Sequence, residues 1–231
     1  MKPHRLKAYI YLLIMAAIWG AAGPIIKFTL QGIPPFPFLA YRFAISAIFS
    51  VLFFTIFGIK LPKPKQNLPL ILLYGLMAFS IALGALFSGL EKTTVLDMTL
   101  LTLLGPLLVT VGGVIFFKDH ITKQEKTGIA IIVSGATFTA ISPIVMNHET
   151  LKLSGNFLII LFLFADSIAA LMAKRLVRQN IPSLTLTNIG FVVGALTIVP
   201  LTIFLYGYSE TINLIISLPL KYHLGVWNMA R

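Results

Sequence analysis

The chain contains no cysteine, so it offers no disulfide framework, no thiol nucleophile and no thiolate metal site. Acid is scarce too. Seven Asp and Glu stand against eighteen Lys and Arg, and charged residues of either sign make up only 11% of the 231 residues. The signatures of soluble enzymes are missing: there is no phosphate-binding glycine loop and no His-Glu-x-x-His. His4, His120, His148 and His223 fall in loops or near ends, without carboxylates at metal-ligand spacing. No catalytic site, no metal site and no cofactor is read from this sequence, and an enzyme is not expected.

What fills the chain is apolar. Hydrophobic residues make up 58% of it and the mean hydropathy is +0.94, more than a soluble core of this size needs. Blocks of roughly 20 apolar residues recur between short polar breaks, the length that crosses about 30 Å of hydrocarbon at 1.5 Å per residue. Seven spans are expected: Ala8–Phe28, Phe36–Ile59, Leu68–Leu90, Val95–Phe117, Lys123–Ile144, Gly155–Lys174 and Leu184–Gly207. The first has the basic start of a secretory signal, but its uncharged run reaches Ile26 and six more spans follow, so it is read as a span. Thr94-Val95-Leu96-Asp97 and Thr122-Lys123-Gln124-Glu125 read as capping boxes at helix starts. The proline-rich loops Gln31–Pro37 and Leu61–Pro69 stop the helices before them.

A net charge of +11 would suggest nucleic acid in a soluble protein. Here the basic residues cluster between apolar blocks, so the expected partner is the lipid bilayer and not nucleic acid. With the N-terminus cytoplasmic, the inner segments hold Lys2, Arg5, Lys7, Lys60, Lys63, Lys65, Lys118, Lys123, Lys126, Lys174, Arg175 and Arg178. The outer segments hold only Lys27, Lys92, Lys152 and Lys221, which favours that orientation by twelve to four.

Sliding the chain by 148 positions lays Ile33-Pro34 on Ile181-Pro182 and Lys27 on Arg175 (181 − 33 = 148). The repeat unit then holds five helices, an odd number, so the second copy enters the membrane from the opposite side. The fold expected is an all-α multi-pass bundle of inverted five-helix repeats, the first over residues 8–144. The second, over residues 155–231, is expected to be truncated, with two complete helices and the start of a third.

Candidate functional residues are the polar and helix-weakening ones inside the spans. On a helical wheel Ala16, Gly20, Gly23 and Lys27 fall within about 60° of one another, opposite Ile14, Ile18 and Ile25. This small face suits either tight helix packing or the wall of a cavity. In the fourth span Thr99, Thr102, Pro106, Thr110 and Gly113 share about 80°, and Pro106 frees a backbone carbonyl at depth. Packing and pathway readings stand side by side there. Asp97 reads as a cap residue, and Lys27 reads either as a snorkelling residue or as part of the site. Arg42 lies about 9 Å into the second span. Asp166 lies near the midplane, where a carboxylate costs about 2.5–3.5 kcal/mol on insertion scales and needs a partner, a proton or a wet cavity. Arg42 is its expected partner, about 6 Å away in depth.

Two stretches resemble the EamA type of the drug/metabolite transporter superfamily. One is AIWGAAGPIIKFTLQGIPPFPFLAYRFAISAI, and the other is TTVLDMTLLTLLGPLLVTVGGVIFFKDHITKQEKTGIAIIVSGA. The first is similar to the family's first two helices and the second to its fourth and fifth. Trp19, Lys27, Arg42 and Pro106 match the pattern by position, whereas Asp119 stands where glutamate is common and Asp97 where small residues are usual. The resemblance implies a ten-helix carrier of small metabolites or drug-like molecules in the cell membrane, exporting or exchanging them by alternating access. A homodimer is compatible with it. The site residues expected are Asp166, Arg42, Trp19, Lys27, Pro106 and Thr102, in a cavity lined by the first, second, fourth and sixth spans. The additional acids, Asp97 and Asp166, point to a cationic or zwitterionic substrate or to proton coupling. A non-transport scaffold or lipid-handling subunit is the competing reading, with a membrane-embedded enzyme behind it.

Overall fold

A computed structural model describes residues 3–58, 67–118, 122–145, 150–209 and 211. All regular structure among them is helical. Six helices are long and apolar enough to span a bilayer: Tyr9–Leu30, Pro35–Ile56, Leu68–Lys92, Val95–Phe117, Leu153–Arg178 and Ser183–Tyr206. The remaining expected span is also helical, over Lys123–Val145. In chain order the α-helices are α1 (Pro3–Leu30), α2 (Pro35–Ile56), α3 (Leu68–Gly75), α4 (Leu83–Lys92) and α5 (Val95–Thr102). They continue with α6 (Leu104–Phe117), α7 (Lys123–Val145), α8 (Thr150–Arg178) and α9 (Ser183–Tyr206). Asp119 and most of the loop between the second and third spans lie outside the described residues.

Two of the expected spans are interrupted. A π-helical turn, Leu76–Ala82, separates α3 from α4, and at Leu103 the chain breaks between α5 and α6. The second break has a clear cause. Pro106 has no N–H to give the Thr102 carbonyl. Three residues earlier in the ladder, the Leu103 N–H turns to Leu100 O instead of Thr99 O, and the Thr102 hydroxyl donates to the Thr99 carbonyl at 2.8 Å.

The helices alternate up and down. Lys27 at the end of α1 bonds the end of α4, while Gly155 near the start of α8 lies against Thr93. At that same end Thr202 of α9 donates to Phe36 O of α2 at 3.2 Å. The other end is closed by a cluster of Ile71, Leu176, Ile181 and Leu186. There Lys174 and Arg178 of α8 lie over the Phe117 ring at 4.6 and 4.8 Å. The main core lies between α2, α4, α8 and α9, around Phe43, Phe87, Leu90 and Ile159. Where α4 crosses α8, Gly89 and Gly155 let the two backbones touch. Next to that crossing the buried Thr93 hydroxyl donates to the Asn156 side-chain oxygen.

The 148-residue offset has a counterpart in hydrogen bonding. After α1, Gln31 N–H donates to Phe28 O and Gly32 N–H to Thr29 O; after α8, Gln179 N–H donates to Leu176 O and Asn180 N–H to Val177 O. Each pair is related by 148. The helices that follow start alike, from Pro34 and Pro182 in extended conformation, and Ile33 and Ile181 are both buried. The two hairpins sit at opposite ends of the bundle. Phe43 and Phe191, also 148 apart, both pack on Phe79 of the π-helical turn. This pattern is compatible with inverted repeats.

Candidate functional site

A cavity of about 710 Å³ opens between α1, α4, the α5–α6 pair and α8. That is within the range of small-molecule sites. Trp19, Gly20 and Pro24 of α1 stand on one side, Thr102 and Pro106 on a second, and Asp166 of α8 on a third. Leu86 and Leu90 of α4 and Phe162 of α8 supply apolar wall.

Asp166 is at mid-span. It is thirteen residues from Leu153 and twelve from Arg178 in a 26-residue span, about 20 and 18 Å along the axis. The residue is exposed, and among the described residues no hydrogen bond or ion pair holds its carboxylate, with the Tyr74 hydroxyl of α3 near enough to feel its charge. The cavity therefore receives the charge directly.

The expected Arg42–Asp166 pair is not formed. α2 packs against α9 and α4 and contributes no described residue to the cavity wall on which Asp166 lies. The Arg42 guanidinium instead lies 5.4 Å from the centroid of the fully buried Phe87 ring. The cavity is lined by the third span and not by the second, which corrects the expected set of helices. Four of the six expected site residues come together: Trp19, Pro106, Thr102 and Asp166.

Lys27 also lies apart from the lining. Its Nζ donates to the carbonyls of Leu90, Glu91 and Thr93 at 2.7, 2.9 and 2.8 Å. These are the carbonyls that the end of α4 leaves without helical donors, and a cation there also meets the negative end of the helix. Lys27 thus fastens α1 to the α4–α5 junction at one mouth of the cavity. The chain pattern carried no sign of this role, because the acceptors are backbone atoms 63 to 66 residues away.

The small face of α1 does both of the things open to it. A Cβ on Gly23 would meet the flexible end of Met98 of α5 at 3.0 Å, so α5 packs closely on that glycine; one on Gly20 would meet nothing within 4 Å, because it faces the cavity. Ile14, Ile18 and Ile25 on the opposite side are exposed. Prolines shape the wall twice. Pro24 withholds the helical donor from Gly20 O, as Pro106 does from Thr102 O, and all four residues line the cavity.

One capping box is reciprocal and the other is half formed. Thr94 Oγ1 accepts the Asp97 N–H at 3.0 Å, with the Asp97 carboxylate 3.4 Å from the Thr93 hydroxyl. Thr122 and Glu125 cap each other reciprocally at the start of α7. Asp97 is a helix-start residue and is not on the cavity wall.

The profile of the EamA-like transporter family matches residues 6–141, more than half of the chain. The chain belongs to the EamA-like transporter family. Similar proteins include the uncharacterized transporter YyaM of Bacillus subtilis, 27% identical over 205 residues that cover 86% of this chain and 66% of YyaM. The uncharacterized transporter YdfC of the same organism is 26% identical over 199 residues, covering 85% and 62%. An uncharacterized transporter of Archaeoglobus fulgidus is 24% identical over 197 residues, covering 84% and 67%. The chain thus spans about two thirds of the length of these relatives or slightly less. No solved structure is a significant match.

Proposed function

We propose that this EamA family member is a secondary transporter that exports or exchanges small metabolites or drug-like molecules by alternating access, with the mid-depth cavity as its solute site. The observation that carries the reading is the unpaired Asp166 carboxylate opening into a cavity of about 710 Å³ at the middle of a span. A carboxylate at that depth is costly unless water or a solute reaches it. Two prolines that loosen helices on the same wall suit a site whose walls must move. In this reading residues 8–144 and 155–231 are inverted repeats, as the offset hairpins at opposite bundle ends suggest, and the N-terminus is cytoplasmic. Lys118, Lys174, Arg175 and Arg178 then lie at the cytoplasmic end. The membrane is the cell membrane, and a homodimer is compatible with the reading.

The cysteine-free chain makes the test direct. A Thr102→Cys protein in intact vesicles should react with a membrane-impermeant maleimide, whereas Ile18→Cys, on the exposed opposite side of α1, should not. Equal resistance at both positions would mean a dry bundle and would sink the carrier reading in favour of a scaffold. Substrate-dependent flux in proteoliposomes across a metabolite panel, compared with Asp166→Asn, then tests transport itself.

A further inference from the structure

We infer that the cavity selects an organic ammonium ion: a protonated amine on an apolar or aromatic body, with the Asp166 carboxylate as its counter-charge. The inference rests on the reading of the cavity as the solute site. Among the described lining residues Asp166 is the one ionisable group. The two cations within the spans that could have compensated it are committed elsewhere, Lys27 to three carbonyls of the α4–α5 junction and Arg42 to the Phe87 ring.

The remaining polar groups on the wall point the same way. Thr99, Thr102 and Thr110 donate their hydroxyl protons to the carbonyls of Val95, Thr99 and Pro106 at 2.7, 2.8 and 2.8 Å. What they offer a solute is lone pairs. Gly20 O and Thr102 O, each deprived of its helical donor by the proline four residues on, add acceptor capacity. The Trp19 indole N–H is a donor, but a neutral one, and its ring is a face on which a cation is favoured. A carboxylate solute would meet like charge and one neutral donor. A primary ammonium would meet an anion, several acceptors and an aromatic ring.

The apolar share of the wall excludes a bare inorganic cation as the better fit. A hard cation needs several oxygen ligands converging at one point, and no group of three or more His, Cys, Asp or Glu occurs among the described residues. Leu86, Val95, Met98 and Phe162 line the same cavity and give it apolar surface that suits a hydrocarbon body.

The test is a charge series on one aromatic body, measured by calorimetry on the whole 231-residue chain in nanodiscs: 2-phenylethylamine, 2-phenylethanol, 3-phenylpropionate and phenylalanine. On the unmodified chain the amine should bind at least tenfold more tightly than the alcohol, from the gain of a charge-assisted bond, with the other two weaker still. Asp166→Asn should bring the amine down to the alcohol's affinity, and Asp166→Glu should recover most of the preference. A carboxylate or zwitterion that binds as well as the amine overturns the inference, as does an amine preference that survives Asp166→Asn. If Asp166→Asn does not fold, the series on the unmodified chain decides alone. Amine binding without any flux would defeat the carrier reading and leave this inference standing. Flux of other solutes, with the amine bound no better than the alcohol, would do the reverse.

Discussion

Replacing Gly155 by alanine tests the crossing that sets the distance between the cavity's α4 and α8 walls. A Cβ there would lie 2.8 Å from Lys92 C, 2.8 Å from Thr93 N and 2.9 Å from Gly89 O. Ordinary contact begins at 3.4 Å, so the shortfall is 0.6 Å (3.4 − 2.8). All three obstacles are backbone, so no side chain can swing aside. α8 must shift off α4, and overpacking of this kind costs about 1–3 kcal/mol. The shift also strains the neighbouring Thr93–Asn156 hydrogen bond, which is buried on both sides and adds about 1 kcal/mol if broken. The expected loss is therefore about 2–4 kcal/mol, measured by unfolding in mixed micelles of mild detergent and SDS and followed by helical circular dichroism. Gly20→Ala is the control. Its Cβ meets open space in a helix with negative φ, so it should be neutral or slightly stabilising. If Gly155→Ala changes stability by less than about 0.5 kcal/mol, the size of an ordinary surface substitution, the close crossing of α4 and α8 is wrong.

Lys27→Met keeps the side-chain length and removes three charge-assisted bonds to the α4–α5 junction. It should cost about 1–3 kcal/mol locally and speed hydrogen exchange at the amides around Thr93 by tenfold or more, with unchanged exchange in α9 as the internal reference. Pro106→Ala returns an N–H to the Thr102 carbonyl and should close the break at Leu103. The helix should gain stability while labelling of a Thr102→Cys site in the same background falls; a rise in labelling would contradict the account of the break.

The prolines illustrate what a single chain pattern can carry. Pro106 and the threonines around it were legible, since a proline inside an apolar run must free a carbonyl wherever the helix ends up, and hydroxyls one turn away can cover such groups. The capping boxes were legible for the same reason: Thr94 with Asp97 and Thr122 with Glu125 act over three residues. The π-helical turn at Leu76–Ala82 was not. The residues that meet it, Phe43 and Phe191 on Phe79 and Thr197 bonded to Ser80, are all distant in the chain.

That the chain crosses a bilayer as helices can be read along the chain, because block length and hydropathy are one-dimensional properties. The 148-residue offset, with which the two hairpins are compatible, and Asp166 as the charge to be explained are legible in the same way. Where the cations go depends on packing. Arg42 and Asp166 match in depth, yet depth says nothing of the angle around a helix, and the packing of α2 on α9 and α4 turns Arg42 toward Phe87. Lys27 ends on backbone carbonyls, which have no residue identity to read in advance. With both of these cations spent on the scaffold, Asp166 is the one charged side chain among the described lining residues, and that follows from how the helices pack.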